Sequence, residues 1–191
     1  NHTIRKITTS GVVSTLAGLA GVSGSADGTG TVSRFLNPIG VAVDGAGNVY
    51  VGDSGNTTIR KITPVGAVST LAGLAFSPGS VDGVGGFARF GGCVTSGCYG
   101  PFGVAVDNSG NVYAADTFNN WNRKITPSGV VSTLAGLTHD SYVDGFPLDP
   151  YADGTGRTAG FNRPHGVAVD SAGNVYVADT DNHKIRVGTP V

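Results

Sequence analysis

The chain repeats itself, and the repetition restricts the folds open to it. The segment GVAVD begins at Gly40, Gly103 and Gly166, and GNVY follows at Gly47, Gly110 and Gly173. VSTLAG ends at Gly18, Gly73 and Gly136. The asparagine that opens NHTIRKI, Asn1, recurs as Asn56, Asn119 and Asn182, at intervals of 55, 63 and 63 residues. The eight extra residues fall in the linker, at two different places. One insertion lies between Phe90 and Gly103 and holds both cysteines; the other lies between Gly136 and Asp153. Periods of this length mark arrays of supersecondary units that bury their apolar faces only against neighbouring units.

Each unit reads as four short strands. In the best-defined one these are Gly40–Asp44, Val49–Gly52, Thr58–Thr63 and Ala67–Leu71. The joints are Gly45-Ala46-Gly47-Asn48, Asp53-Ser54-Gly55-Asn56 and Pro64-Val65-Gly66, all rich in turn-forming residues. Strands of this length joined this way make an antiparallel meander. The first strand is small and lacks clean alternation, which suits a sheet covered on both faces near a crowded axis. Composition supports the assignment. The sequence has no Glu, Gln or Met, residues that favour helices, while glycine makes up 32 of 191 residues.

Four-stranded meanders packed face to face around an axis make a β-propeller. GVAVDGAGNVYVGDSGNTTIRKITP and GVAVDSAGNVYVADTDNHKIR closely resemble NHL repeats, and Asn1-His2-Thr3 and Asn182-His183-Lys184 stand where that family has its Asn-His-Leu triplet. The linker DGTGTVSRFLNP, Asp27 to Pro38, resembles the bacterial long-linker variety. The resemblance implies one blade per unit and a usual ring of six. The expected fold is therefore all-β, made of propeller blades, with about three blades in the chain. The partition is 1–37 (partial blade and linker), 38–100, 101–163 (blade and linker each) and 164–191 (partial blade). Three blades are too few to close, so the expectation is part of a larger ring or a head-to-tail assembly of copies. With no initiator methionine and no basic-then-apolar leader, the sequence reads as a mature product or an excised piece.

The recurring polar residues read as architecture. Asp44, Asp107 and Asp170 close first strands, and Asp53, Asp116 and Asp179 close second strands. An aspartate before such turns accepts backbone N–H bonds. Asp27, Asp82 and Asp153 read as linker turns, and Phe35, Phe90 and Phe161 as plugs between blades. His2 and His183 occupy equivalent positions and read as structural. The third-strand pairs Arg5-Lys6, Arg60-Lys61 and Arg123-Lys124, with Arg186, form a candidate basic stripe. Nearby acids and a net charge of -1 weigh against nucleic acid as a partner.

Where one unit departs from the others, binding is the more specific reading. The insertion at 138–154 carries His139, Asp140, Tyr142, Asp144, Asp149, Tyr151 and Asp153, candidates for a glycan or protein ligand; the plain alternative is a solvated loop. Its spacing matches no EF-hand. Cys93 and Cys98, five apart, read as a disulfide rather than two thiols, which favours an oxidising compartment. Asn1 and Asn56 open glycosylation sequons. No metal-ligating set, nucleophile elbow or phosphate loop is present, and the relatives of peptide-amidating type have metal-binding histidines with no counterpart here. No apolar run is long enough to span a membrane. The expected function is a non-enzymatic extracellular scaffold, without cofactor or metal, whose main partner is itself. A glycan- or peptide-binding propeller, or a fragment of a larger lyase or hydrolase, is the alternative.

Overall fold

The structure is a computed structural model. It describes residues 1–95, 97–137 and 151–188, together with the backbone of the short strand pair Tyr142–Val143 and Phe146–Pro147. Two complete sheets carry the repeat. In the first, Pro38–Val43, Val49–Asp53, Thr58–Ile62 and Ala67–Ala72 pair antiparallel in chain order. In the second, the strands are Val104–Val106, Val112–Asp116, Trp121–Ile125 and Val130–Ala135. The ends are incomplete. Ile4–Ile7 pairs with Val13–Ala17 alone, and Pro164–Val169, Val175–Asp179 and Lys184–Gly188 form three strands.

Each complete sheet has a fifth strand beyond the four that the repeat pattern predicts. Gly28–Thr29 adds to the outer edge of Ala67–Ala72, and Gly83–Val84 to that of Val130–Ala135. The linker is thus more than a turn: it covers an edge that would otherwise stand open. A short 3-10 turn follows each of these strands, at Gly30–Val32 and Gly85–Phe87. The phenylalanine a few residues on is then carried inward, and Phe35 and Phe90 are fully buried.

Apolar contacts between successive sheets build the core. Tyr50, Ile59 and Ala72 on one sheet meet Val104, Val112, Ala114, Ile125 and Val131 on the next, with Phe90 from the linker between them. Ile4 and Ala17 meet Val51, Ile62, Val68 and Phe35 in the same way. Each sheet therefore has a trailing face, with Tyr50 and Ile59, and a leading face, with Val51, Ile62 and Val68. First strands converge on one another, which explains their small residues. A Cβ on Gly40 would lie 2.1 Å from the carbonyl oxygen of Phe102, and one on Gly103 would lie 2.2 Å from that of His165. At Gly166 no sheet follows, and the nearest atom is the Ala178 Cβ at 3.4 Å.

That contrast gives a paired prediction. Gly103→Ala forces two backbones apart and should cost about 3 kcal/mol, the upper part of the overpacking range. Gly166→Ala, at the same repeat position, should leave stability unchanged. Urea melts of the two variants at low protein concentration check both.

Candidate interaction surfaces

The strongest polar feature of each unit is an arginine held inside the sheet stack. Arg60 is fully buried; its guanidinium donates to Asp53 at 2.8 Å and to Asp27 at 2.7 Å. It also donates to the carbonyls of Arg34 and Ala26 and lies 5.2 Å from the centre of the Phe35 ring. Arg123 repeats this with Asp116, Asp82, the carbonyls of Arg89 and Val81, and Phe90. Arg186 does so with Asp179, Asp153, the carbonyls of Gly160 and Ala152, and Phe161. One carboxylate closes the second strand and the other comes from the preceding linker, so the arginine ties linker to sheet. The candidate basic stripe is therefore not a surface at Arg60 or Arg123. Asp153, a candidate ligand residue, is the linker half of a clamp, equivalent to Asp27 and Asp82.

The clamp aspartate is itself fixed. Asp53 accepts from the backbone N–H of Leu36 at 2.8 Å and from the Asn56 amide at 2.7 Å. Asn119 and Asn182 serve Asp116 and Asp179 in the same way. Burial pushes the Asp53 and Asp116 carboxyls up, against the opposing effect of these donors and the arginine. Asn56 is fully buried, and its amide also donates to the Gly24 carbonyl. A glycan at Asn56 has no room in the folded unit, which corrects the sequon reading there. Asn1, at the equivalent position, is exposed. The turn after each clamp aspartate ends in a left-handed residue, Thr57, Asn120 or His183, and His2 adopts the same conformation at the equivalent repeat position.

The aspartates that close first strands do different work. Asp44 accepts from the backbone N–H groups of Ala46 and Asn48, from the Asn48 amide and from the Tyr50 hydroxyl. Asp107 and Asp170 repeat the pattern. Burial acts to raise the Asp44 and Asp107 carboxyls, but the four donors together outweigh it and hold both below the usual aspartate value. Burial and the neighbouring carboxylate push the Tyr50 and Tyr113 hydroxyls up to about 12.

The two ends expose what the interior units bury. Ile7 is 68% exposed, whereas its counterparts Ile62 and Ile125 are 0% exposed. Val13, Val41 and Val43 are exposed beside it on the leading side, and Arg5 is exposed where Arg60 and Arg123 are not. At the other end Tyr176 is 39% exposed, against 2% for Tyr50 and Tyr113, and Ile185 is exposed too. The leading side of the first sheets and the trailing side of the last are thus copies of the two halves of the internal contact.

A second surface breaks the repeat. The structure joins Cys93 and Cys98 in a disulfide across the hairpin Gly92–Val94 and Gly97–Tyr99. A cleft of about 270 Å³ lies beside it, lined by Gly92, Val94, Phe118, Asn120, Asn162 and Arg163. Phe118 sits 5.6 Å from Phe102 and 5.9 Å from Tyr99, Phe102 sits 5.0 Å from His165, and Arg163 lies over Phe118 at 5.7 Å. Phe118 stands where the units on either side have Gly55 and Asp181, and Phe102 where they have Ile39 and His165. Those substitutions were the signal in the sequence, and a motif search that rewards agreement between units passes over them. Of the candidate loop residues, His139, Asp140, Asp144 and Asp149 lie outside the described residues, and Tyr142 is described only as strand backbone. Tyr151 is exposed. Among the described residues no three His, Cys, Asp or Glu side chains gather as a metal site, and no helix is long and apolar enough to cross a membrane.

Residues 35–62 and 161–187 each match the sequence profile of the NHL repeat. The chain carries NHL repeats. It is similar to NHL repeat-containing protein 2 of Bos taurus, 33% identical over 166 residues that cover 80% of this chain and 21% of that protein. It is also similar to Teneurin-4 of Mus musculus, 29% identical over 199 positions that cover 96% of this chain and 7% of that protein. Among solved structures, a protein of unknown function from Bacteroides thetaiotaomicron aligns with a TM-score of 0.71 at 27% identity, over 98% of this chain and 42% of that one. The NHL chain spans about a fifth or less of the length of these curated relatives.

Two predictions follow from the clamp and the turn. Asp116→Ala strips a buried guanidinium of its interior partner and should cost about 3–5 kcal/mol, whereas Asp82→Ala, at a partly exposed linker position, should cost about 1 kcal/mol. Denaturant titration separates them. The Asp44 and Asp107 turns contribute stability that is complete above pH 3.8 and is lost as pH falls through their lowered folded values. The raised carboxyls of Asp53 and Asp116 act in the opposite sense, as pH rises from 3.8 through their raised folded values. Asp44→Asn with Asp107→Asn should therefore lower stability at pH 7 while flattening the loss below pH 3.8. Thermal melts across that range check the slope.

Proposed function

We propose that this NHL chain is a non-catalytic, extracellular interaction scaffold that assembles head to tail with further copies of itself. The observation that carries the reading is the pair of complementary end faces. Ile7 and Val13 repeat the leading face that Ile125 and Val131 bury inside the chain, and Tyr176 repeats the trailing face that Tyr50 presents to them. Apolar surface of this kind, framed by open strand edges, favours a partner built like the chain's own next unit. Contacts between unlike faces close into rings or run on as filaments, according to the rotation at each joint. The disulfide supports an oxidising compartment.

The test is native mass by light scattering across a range of protein concentrations. A dimer or larger species that dissociates on dilution is expected, and Ile7→Asp or Tyr176→Asp should each return it to monomer with the fold intact by circular dichroism. A wild-type chain that stays monomeric at every concentration overturns the reading.

The aromatic cleft beside the disulfide favours a second reading, glycan binding. A half-buried aromatic ring in a cleft with amide and guanidinium groups at its rim suits a sugar ring. A glycan array read with wild type and Phe118→Ala decides it: signals lost in the variant support it, and a blank array removes it.

A further inference from the structure

We propose that the Cys93–Cys98 hairpin is the shared wall of two equivalent carbohydrate subsites, one on each side of it, which together take a linear oligosaccharide of uncharged sugars. The inference rests on the glycan reading of the aromatic cleft, extends it to a second cleft and names the class of glycan. That second cleft, of about 340 Å³, is lined by Leu36, Asn37, Thr57, Phe76, Cys98 and Tyr99. Strand Gly97–Tyr99 of the hairpin borders it, and strand Gly92–Val94 borders the first cleft.

The two clefts occupy the same place in successive units. At the centre of each is the turn after the second strand, with Gly55 and Thr57 in one and Phe118 and Asn120 in the other. On one side stands the linker ahead of that sheet, and on the other the linker of the next unit. The backbone N–H groups of Leu36, Gly91 and Asn162 each bond the second-strand aspartate, and Pro38, Pro101 and Pro164 open the following segment. Residues 92–100 therefore stand in the place of a single residue, Asn37 or Arg163, in the neighbouring units. The hairpin is the next linker for the unit before it and the preceding linker for its own. Neither cleft draws a lining residue from the first two strands or the last three.

Each cleft has gained an aromatic ring, and from a different position of the unit. Phe76 stands where the preceding unit has Gly21. Both are left-handed, at φ 60° and 76°, in turns closed by the same bond, Ser77 N–H to the Leu74 carbonyl and Val22 N–H to that of Leu19. Glycine fills such a position without strain, whereas phenylalanine carries a backbone cost there. Phe76 is 63% exposed, so packing within the chain offsets little of that cost. In the other cleft the ring is Phe118, at the place of Gly55. Tyr99, on the wall of the second cleft, lies 5.9 Å from Phe118 in the first. The polar lining identifies the ligand class. Asn37 and Asn162 bond through their backbone N–H groups, which leaves their side-chain amides free among the described residues. The second cleft holds no charged side chain, and the first holds only Arg163, whose guanidinium is 3.8 Å from the Asp181 carboxylate. Flat apolar rings beside groups that both donate and accept, with no unbalanced charge, suit an uncharged polyhydroxylated ring. Cys93 faces Cys98 directly, so the disulfide fixes the width of the ridge between the clefts. Paired strands lie about 5 Å apart, a ridge that a few linked sugars cross.

The test is an array of cello-, xylo- and manno-oligosaccharides from disaccharide to hexasaccharide, with acidic glycans beside them, followed by calorimetry on the neutral hexasaccharide that gives the strongest signal. Linked contacts at two clefts should make the hexasaccharide bind at least tenfold more tightly than its disaccharide. Phe76→Gly and Phe118→Ala should each remove about that factor. Phe76→Gly should do so without lowering the melting temperature, because glycine relieves the turn. Cys93→Ser with Cys98→Ser should weaken the hexasaccharide at least as much as either ring variant. A hexasaccharide that binds no better than its disaccharide overturns the shared wall, as does one that binds Phe76→Gly or the double serine variant as it binds wild type. Binding confined to acidic glycans overturns the ligand class. A blank array removes the glycan reading itself, an outcome distinct from these.

Discussion

Everything in this chain hangs on a guanidinium buried between two carboxylates. A lone arginine at that depth would be prohibitive to desolvate, and an arginine with one carboxylate would still leave most of its N–H groups unmet. Here Arg60 meets Asp53, Asp27 and two carbonyls, and its flat face rests near Phe35. Those groups come from the sheet and from the linker ahead of it. The ion pair can form only when both are in place, so it couples the position of the linker to the register of the sheet. The same linker then places a phenylalanine in the gap between sheets and adds a strand to the outer edge. Three features that a sequence shows separately are one device.

The device explains where the chain tolerates change. Insertions of eight residues sit between Phe90 and Gly103 and between Gly136 and Asp153; the first separates the linker half of a clamp from its sheet half, and neither interrupts the stretch from the second-strand aspartate to its arginine. The interval from the second-strand aspartate to its arginine is seven residues in all three clamped units. A loop can lengthen on the surface at small entropic cost, whereas a shift within that interval would turn the arginine to the opposite face of the strand. The disulfide hairpin grows from the tolerant stretch. It brings Tyr99 next to Phe118, so the added chain buries an aromatic group that has no counterpart in the other units.

The sequence made the strands legible because period and turn chemistry agree. Gly and Asn at the joints, with β-branched residues between them, leave few alternatives, and the four strands expected between Gly40 and Leu71 lie within a residue or two of their expected places. The equivalence of His2 and His183 was also readable, since both occupy the left-handed position that ends the same turn. Two things were hidden. Strands as short as Gly28–Thr29 and Gly83–Val84 carry no periodicity of their own and exist only because an edge lies opposite. The pairing of Asp27 with Arg60 spans 33 residues, and that of Asp82 with Arg123 spans 41, so no local pattern announces it. Tripeptide reasoning at Asn56 failed for the same reason: the sequon is visible, but the burial of its amide is a tertiary fact. In the other direction, the departures at Phe102 and Phe118 were visible in the alignment of units and meant little until the structure placed them side by side.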